Sequence, residues 1–190
     1  MNCQGLWRLS IYDFSFLCIM SRLLFIGALF CLFGCVSSPK IQSQDLIVND
    51  GYSIPVYDFN NFELLLKRSN DTLYIYNFWA TWCRPCVEEL PDFEYFNSQN
   101  RDKSVKIILV SIDMKRTWKN GLTSFLFKNN IQNDVVVLDD VDANSWISKV
   151  NASWDGAIPA TLFVFGDKKV FHHGKLTKEE LHQLVDDIRK

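Results

Sequence analysis

The chain has 190 residues, of which 48% are hydrophobic and 14% aromatic; this length and composition are typical of one globular domain and exclude a disordered chain. The formal net charge is −2 at pH 7 and no long basic run occurs, so nucleic acid is excluded as a partner for lack of a positive binding surface. The chain contains six cysteines, four of them in the first 35 residues, which sets the N-terminal segment apart from the rest.

The N-terminal segment has the pattern of an export signal. Residues 23–36, LLFIGALFCLFGCV, carry no charge, and a run of this length is too short for an ordinary membrane-spanning helix but suits the apolar core of a signal peptide. Residues 32–35, LFGC, resemble the lipobox of bacterial lipoproteins, whose cysteine is lipidated and becomes the mature N-terminus. The resemblance implies a signal peptide over residues 1–34 and a lipid on Cys35; a plain signal peptide or a retained membrane anchor are the alternatives.

Residues 1–19 do not fit this signal, because they include Asp13 and resemble no targeting region. Met20 is followed by Arg22 and then by the apolar core, which is the order expected of a signal peptide. We therefore expect translation to begin at Met20. After Cys35 the sequence is polar and turn-forming, so residues 35–50 are predicted to be a flexible tether and residues 51–190 the folded domain.

From residue 53 onward, strand-like and helix-like patterns alternate. The continuous apolar runs at 73–80 and 105–113 are typical of buried sheet strands, and Gly166-Asp167 joins two further strands as a hairpin. This order predicts an α/β fold with a central mixed β-sheet and helices on both faces. The other predicted strands are 53–59, 134–140, 160–165 and 168–173; the predicted helices are 60–69, one opening at Cys83, 118–130, 143–150 and 175–190.

Cys83 and Cys86 form a C-x-x-C motif at the predicted start of a helix. Disulfide exchange requires a thiolate, and both the helix N-terminus and the neighbouring Arg84 favour that form of Cys83. Pro85 preorganises the first helical turn. Cys86 lies one turn further on, shielded but within reach of Cys83, so it can resolve a mixed disulfide that Cys83 forms with a partner.

Other uses of a cysteine pair fit the sequence less well. A C-x-x-C-H haem site requires histidine where Val87 stands. A zinc site usually needs four ligands, and beyond residue 36 the chain offers only these two cysteines and His172, His173 and His182. A structural bridge across so short a segment stabilises little. The pattern therefore favours redox chemistry.

Residues 73–91 resemble the thioredoxin superfamily, in particular its extracytoplasmic TlpA/ResA branch of thiol–disulfide oxidoreductases. The resemblance covers roughly residues 53–189 and rests on three features: NFWATWCRPC at 77–86, Pro91 at the position of a helix-kinking proline, and Ile158-Pro159 at the position of a cis-proline. It implies a thioredoxin fold with the extra strand and helix of the TlpA-like branch, inserted between residue 113 and Pro159.

Residue by residue, the resemblance implies that Cys83 is the exposed nucleophile and Cys86 the resolving cysteine. The Ile158–Pro159 peptide bond is expected to be cis, and Ile158 is expected to present its backbone to an incoming peptide as an added strand. The expected substrate-binding residues are Trp82, Arg84, Pro85, Ile158 and Pro159.

The route of the proton is a separate question. Glu89, three residues after Cys86, stands where the ResA-like branch has a glutamate thought to assist the reaction. The alternative is that Glu88 and Glu89 are solvated charges near a helix start, where acidic residues are favourable. Asn77 occupies the place of the buried aspartate of cytoplasmic thioredoxins, and an amide cannot accept a proton.

Together these features predict a lipid-anchored thiol–disulfide oxidoreductase of the bacterial cell envelope, facing the periplasm or the cell exterior. Its expected partners are disulfide-containing exported proteins, with apocytochromes c as one candidate, and a thiol electron donor in the membrane. No cofactor beyond the redox-active disulfide Cys83–Cys86 is expected, and no metal. The alternatives are a disulfide oxidase or isomerase on the same fold, and a copper metallochaperone binding through the two cysteines and His172 or His173.

Overall fold

The computed structural model describes residues 40–100 and 104–190. The expected signal peptide, the start at Met20 and the lipidated Cys35 lie outside the described residues and stay predictions. Residues 40–190 form one compact unit, and the hydrophobic residues of both its cores lie between Ile41 and Ile188. We therefore expect a fragment of residues 40–190 to fold by itself. Within the described residues, no helix has both the length and the apolar character needed to cross a membrane.

Seven strands form a single mixed β-sheet in this part of the chain. They are β1 (Asp45–Asn49), β2 (Tyr52–Tyr57), β3 (Leu73–Trp79), β4 (Val105–Ser111), β5 (Asp134–Leu138), β6 (Ala160–Phe165) and β7 (Lys168–His173). Their order in the sheet is β1-β2-β5-β4-β3-β6-β7. β3 pairs parallel with β4 and antiparallel with β6, so the end of β3 and the start of β6 meet at one edge of the sheet.

Five α-helices of the described residues cover the sheet. They are α1 (Phe59–Leu65), α2 (Arg84–Gln99), α3 (Thr123–Lys128), α4 (Ala143–Val150) and α5 (Lys178–Arg189). Buried side chains of α1 and α4 belong to one hydrophobic core, and those of α2, α3 and α5 belong to a second core. The predicted class, a central mixed sheet with helices on both faces, is confirmed.

β3 takes part in both cores, which explains its continuous apolar sequence. All seven of its residues are buried, and successive side chains of a strand point to opposite faces. Tyr76 and Phe78 pack with α1 and α4, while Ile75 and Trp79 pack in the core with α2 and α5. A strand held on both faces provides a rigid base for the residues that follow it.

The predicted tether is too long at its C-terminal end. Residues 45–49 form β1, which pairs antiparallel with β2 from Asp45↔Val56 to Asn49↔Tyr52. The turn between them is Asp50-Gly51, and both residues have positive φ, 49° and 82°. Asp-Gly is a favoured pair for such tight hairpin turns, so this turn was the signal that the prediction missed. The folded domain therefore begins before residue 51.

The predicted helix 118–130 is divided in the structure. A single π-helical turn covers Trp118–Leu122, and α3 follows at Thr123–Lys128. Gly121 lies in the first part, and glycine is a poor helix former because its backbone loses the most entropy on ordering. The long connection from β4 to β6 thus holds α3, β5 and α4. α2, in contrast, continues through Pro91 as one helix.

Candidate active site

The cysteine pair lies at the edge of the sheet where β3 ends. Cys83 and Cys86 are joined by a disulfide, with their Cα atoms 5.3 Å apart. Cys83 is the N-cap of α2, and its Sγ accepts a hydrogen bond from the backbone N–H of Cys86 at 3.3 Å. Pro85 stands in the first turn of the helix, as expected. In the reduced state the same N–H group and the helix N-terminus favour a negative charge on Cys83.

The two sulfurs differ in access, in the expected direction. Cys86 is fully buried, whereas Cys83 retains an exposed fraction of 6%. Cys83 was expected to be exposed, but it is mostly covered because Ile158 lies against it. The Ile158 carbonyl oxygen is 3.7 Å from Sγ of Cys83. A disulfide that approaches from solvent therefore meets Cys83 before Cys86.

The loop that ends at Pro159 faces the cysteine pair and is held from both sides. The Ile158–Pro159 peptide bond is cis, as the resemblance implied. The Pro159 carbonyl accepts a hydrogen bond from Gly174 N–H at 2.9 Å. On the other side the indole Nε1 of Trp154 donates to the Ala157 carbonyl at 2.8 Å. Trp154 was not singled out in the sequence, and its role depends on contacts that only the fold creates.

We expect Trp154→Phe to slow client reduction by about tenfold through misplacement of this loop. Phenylalanine keeps much of the packing against Phe78, whose ring centroid lies 4.7 Å from that of Trp154, but it cannot donate to Ala157. The free energy of unfolding should fall by about 1 kcal/mol. Insulin reduction and urea unfolding measure the two effects. Trp146→Phe is the control, since Trp146 lies in the same core as Trp154 and its Nε1 donates to the Asp140 carbonyl. Equal slowing by both variants would contradict the prediction.

Glu89, one helical turn after Cys86, is buried, which rules out the solvated alternative for this residue. Its exposed fraction is 0%. One carboxylate oxygen accepts from Asn77 Nδ2 at 2.8 Å, and the other accepts from the Leu176 N–H at 2.8 Å. Asn77 Nδ2 also lies 3.2 Å from Thr161 Oγ1. Asn77 thus cannot take up a proton itself but holds the carboxylate that can.

The burial of Glu89 changes its acidity. Desolvation raises the pKa of Glu89 from its ordinary value of 4.5 to about 7, although the hydrogen bonds from Leu176 and Asn77 and the charge of Lys175 oppose the rise. Cys86 and Glu89 are three residues apart in α2, so both side chains lie on one helix face. A carboxyl group with a pKa near neutral can both accept and release a proton at the working pH.

We expect the stability of the oxidised protein to fall as the pH rises from 4.5 to 7 because of Glu89. In this window the folded state keeps a proton on Glu89 that the unfolded chain has released, so stability decreases with pH. The pKa of about 7 corresponds to roughly 3 kcal/mol across the window. Urea unfolding at a series of pH values should show this slope in the wild type and not in Glu89→Gln.

The exposed neighbour Glu88 provides the control for this measurement. The pKa of Glu88 is lowered by its hydrogen bonds to Arg84 and Lys175, so Glu88 contributes no slope between pH 5 and 7. Glu88→Gln should therefore keep the wild-type pH dependence. A Glu89→Gln protein with an unchanged slope would contradict the assignment of this titration to Glu89.

Arg84 is arranged differently from the sequence-based expectation. Its side chain is 90% exposed, and Nε forms an ion pair with Glu88 at 3.0 Å. Lys175 pairs with the same carboxylate at 3.3 Å. The charge of Arg84 is therefore offset by Glu88, and the helix N-terminus is the main local feature that favours a thiolate on Cys83.

A second buried carboxylate, Asp113, holds the turn that leads into the cysteine pair. Asp113 is 3% exposed, and its carboxylate accepts from Thr81 N at 3.0 Å, from Thr81 Oγ1 at 2.6 Å and from Ser111 Oγ at 2.9 Å. Its own carbonyl accepts from Trp118 Nε1 at 2.7 Å. Sequence reasoning missed this group, although a polar residue at the carboxyl end of β4, beside β3, was an available signal.

The tryptophans and histidines near the motif have separate environments. Trp79 is fully buried, whereas Trp82 is 63% exposed beside Cys83. His173 lies against the edge of the Phe171 ring and 3.2 Å from Ser153 Oγ. Across residues 40–100 and 104–190, no three His, Cys, Asp or Glu residues are grouped closely enough to hold a metal ion.

Comparison with known proteins agrees with this geometry. The family model described as Redoxin matches residues 58–188, more than half of the chain. The thioredoxin-like protein YneN of Bacillus subtilis is 27% identical over 151 residues, which cover 76% of this chain and 84% of YneN. The thiol–disulfide oxidoreductase ResA of Oceanobacillus iheyensis is 46% identical over 114 residues, covering 59% of this chain and 55% of ResA.

A solved structure supports the fold. The crystal structure of a thiol:disulfide interchange protein of the thioredoxin family from Chlorobium tepidum matches 81% of this chain and 99% of its own, with a TM-score of 0.55 and 19% identity. At this identity the similarity concerns the fold alone. The predicted thioredoxin fold is therefore confirmed.

Proposed function

This chain belongs to the Redoxin family and is a thiol–disulfide oxidoreductase of the ResA type; we propose that it is anchored outside the cytoplasm and reduces the disulfides of exported proteins. One observation carries the proposal. The Cys83–Cys86 disulfide lies at the N-terminus of α2 with Cys83 against Ile158 of the cis-Pro159 loop, and the buried Glu89 follows one turn later in the same helix. In the proposed site Cys83 is the nucleophile, the backbone of Ile158 binds the client, and Glu89 accepts a proton.

The reaction proceeds by two thiol–disulfide exchanges. The Cys83 thiolate attacks one sulfur of a client disulfide; a mixed disulfide forms, and the other client sulfur leaves as a thiolate that takes a proton. The Cys86 thiolate then attacks Sγ of Cys83 and releases the second client sulfur. The client gains two electrons and two protons, and the protein dithiol becomes the Cys83–Cys86 disulfide.

Glu89 is proposed to take the proton of Cys86 before the second exchange. Cys86 is buried among apolar residues, where a thiolate is unfavourable unless a base is nearby. Glu89 lies one helical turn further along the same helix face, and its pKa of about 7 suits proton transfer near neutral pH. Leu176 and Asn77 hold the carboxylate in place, so the base keeps its position while its charge changes.

The client is proposed to bind as an extended segment along Ile158. Ile158 is partly exposed and lies against Cys83, so a peptide paired with its backbone would bring its own disulfide to Cys83. Pro159 has no N–H group, which leaves space for the client sulfur on that side. The anchor is proposed to be the lipid on Cys35, and a membrane thiol protein is proposed to return electrons to Cys83–Cys86. Apocytochromes c are one proposed client class.

The direction of electron flow is tested by the reduction potential of the Cys83–Cys86 pair. The fragment 40–190, in which these are the only cysteines, is equilibrated with dithiothreitol or glutathione buffers and the reduced fraction is measured by thiol alkylation. A potential near about −270 mV, as in thioredoxin, supports a reductant, whereas one near about −120 mV, as in DsbA, contradicts it and indicates a disulfide donor.

A further inference from the structure

We propose that a groove beside Cys83, the Trp82 groove, formed by Thr81, Trp82, Met114, Arg116 and Thr117, selects client segments that carry a large apolar side chain and acidic residues next to the reactive cysteine. This inference rests on the proposed function and adds a preference among clients.

The Trp82 groove is apolar and open to solvent. Trp82 and Met114 are 63% and 58% exposed, and both are among the large hydrophobic side chains that remain on the surface. Its volume of about 490 Å³ has room for a large side chain. Neighbouring exposed apolar side chains mark binding surfaces more often than isolated ones do. Because Trp82 directly precedes Cys83, a side chain seated on it lies next to the client sulfur.

The Trp82 groove is also preformed. One wall is Thr81-Trp82, where the Asp113 carboxylate accepts hydrogen bonds from Thr81. The backbone carbonyl of Asp113 accepts from Nε1 of Trp118, which directly follows Thr117 of the other wall. The other wall is a turn in which both N–H and Oγ1 of Thr117 donate to the Met114 carbonyl, at 2.8 and 2.7 Å. A groove whose walls are already ordered loses little conformational entropy when a client binds.

The charges along this wall indicate an acidic partner. Arg116 lines the groove and is exposed, and none of the ion pairs among the described residues involves it. The adjacent Lys115 is also exposed and outside these ion pairs, with Nζ 5.5 Å from the centroid of the Trp118 ring. The only carboxylate of the segment, Asp113, is buried and accepts from Thr81 and Ser111. A cation outside any ion pair at the rim of a binding surface attracts anionic partners and mainly raises their association rate.

Three short peptides test the proposal, each with one cysteine blocked as its methyl disulfide. The first peptide has a leucine beside the cysteine, followed by two aspartates. The second has lysines in place of the aspartates. The third is the first peptide with serine in place of leucine. The reduced fragment 40–190, in which Cys83 and Cys86 are the only cysteines, converts each to peptide thiol and methanethiol while Cys83–Cys86 is oxidised. The measured quantity is the second-order rate constant at low and at high salt.

We expect the acidic peptide to react about tenfold faster than the basic one at low salt, with a smaller difference at high salt. Arg116→Glu should remove this preference. The matched control is Lys169→Glu, which changes the charge equally but lies on β7 opposite Val164, toward the far end of the sheet from Pro159. Met114→Ser should slow the leucine peptide and leave the serine peptide unchanged.

Equal rates for acidic and basic peptides, or equal effects of Arg116→Glu and Lys169→Glu, would overturn the proposal. So would an Arg116→Glu variant that keeps the peptide preference but loses self-association in sedimentation, because the groove would then bind a second copy of this chain. If the wild type reduces insulin and reduces the three peptides at equal rates, the proposal for the Trp82 groove is overturned and the proposed function is not. A wild type that reduces neither insulin nor peptides overturns the proposed function as well.

Discussion

Cys86→Ser is expected to convert the protein into a trap for its clients. Cys83 can still attack a client disulfide, but without Cys86 the mixed disulfide has no internal thiol to resolve it. Well-placed internal groups act with effective concentrations of about 10⁵ M or more, which added thiols at millimolar concentration cannot replace. Turnover with insulin should therefore fall by ~10³-fold or more, and a covalent adduct should appear on non-reducing gels.

Cys83→Ser is the matched variant for this experiment, and both variants are made in the 40–190 fragment. It should show the same loss of turnover but no adduct, because Cys86 is fully buried and cannot reach a client sulfur. The assignment of attacking and resolving cysteines is contradicted if Cys83→Ser forms the adduct, or if Cys86→Ser turns over normally.

Asp113→Ala is expected to have the largest effect on stability among the site residues outside the cysteine pair. It removes the acceptor for the Thr81 N–H and hydroxyl and for the Ser111 hydroxyl in a buried position. Buried donors left without partners cost about 1–3 kcal/mol each, and we expect a total loss of about 3 kcal/mol in the free energy of unfolding. Urea unfolding in one redox state measures this loss.

Two further variants separate the role of Asp113 from a general loss of charge. Asp113→Asn keeps one acceptor oxygen, so it should lose less stability than Asp113→Ala. Asp134→Ala removes an exposed carboxylate whose ion pair with Lys106 is at the surface, and it should change stability by about 1 kcal/mol or less. If Asp113→Ala and Asp134→Ala lose the same amount, the hydrogen bonds of Asp113 do not hold the active-site turn.

Local patterns in the sequence were enough to predict most of the secondary structure. The apolar run of β3 and the Gly166-Asp167 hairpin lie where the pattern predicts them, and so does the capping box that joins Thr177 to Glu180. Each of these features depends on residues close together in the chain, where hydrophobic period and capping chemistry act. The hairpin of β1 was missed because β1 and Asp50 of its turn were assigned to the tether.

The cysteine pair was also readable from the sequence, because its chemistry is local. A C-x-x-C motif with proline at the start of a helix places Cys83 and Cys86 within bonding distance through the geometry of one helical turn. The sequence was less informative about the side chain of the neighbouring Arg84. Its position in the chain indicates a charge near Cys83, but the direction of its side chain depends on Glu88 and Lys175, and the latter lies in a different part of the chain.

By itself, then, the sequence determined the order of the strands and helices after β1 and identified the cysteine pair. Only the tertiary structure decided which of the adjacent Glu88 and Glu89 is buried, because Leu176, 87 residues away, donates to Glu89. It likewise decided that Asp113 meets Thr81, 32 residues earlier in the chain, and that Trp154 packs against Phe78. A side chain's pKa and hydrogen bonds depend on its neighbours in space, and residues that meet across a sheet edge leave no periodic signal in the chain.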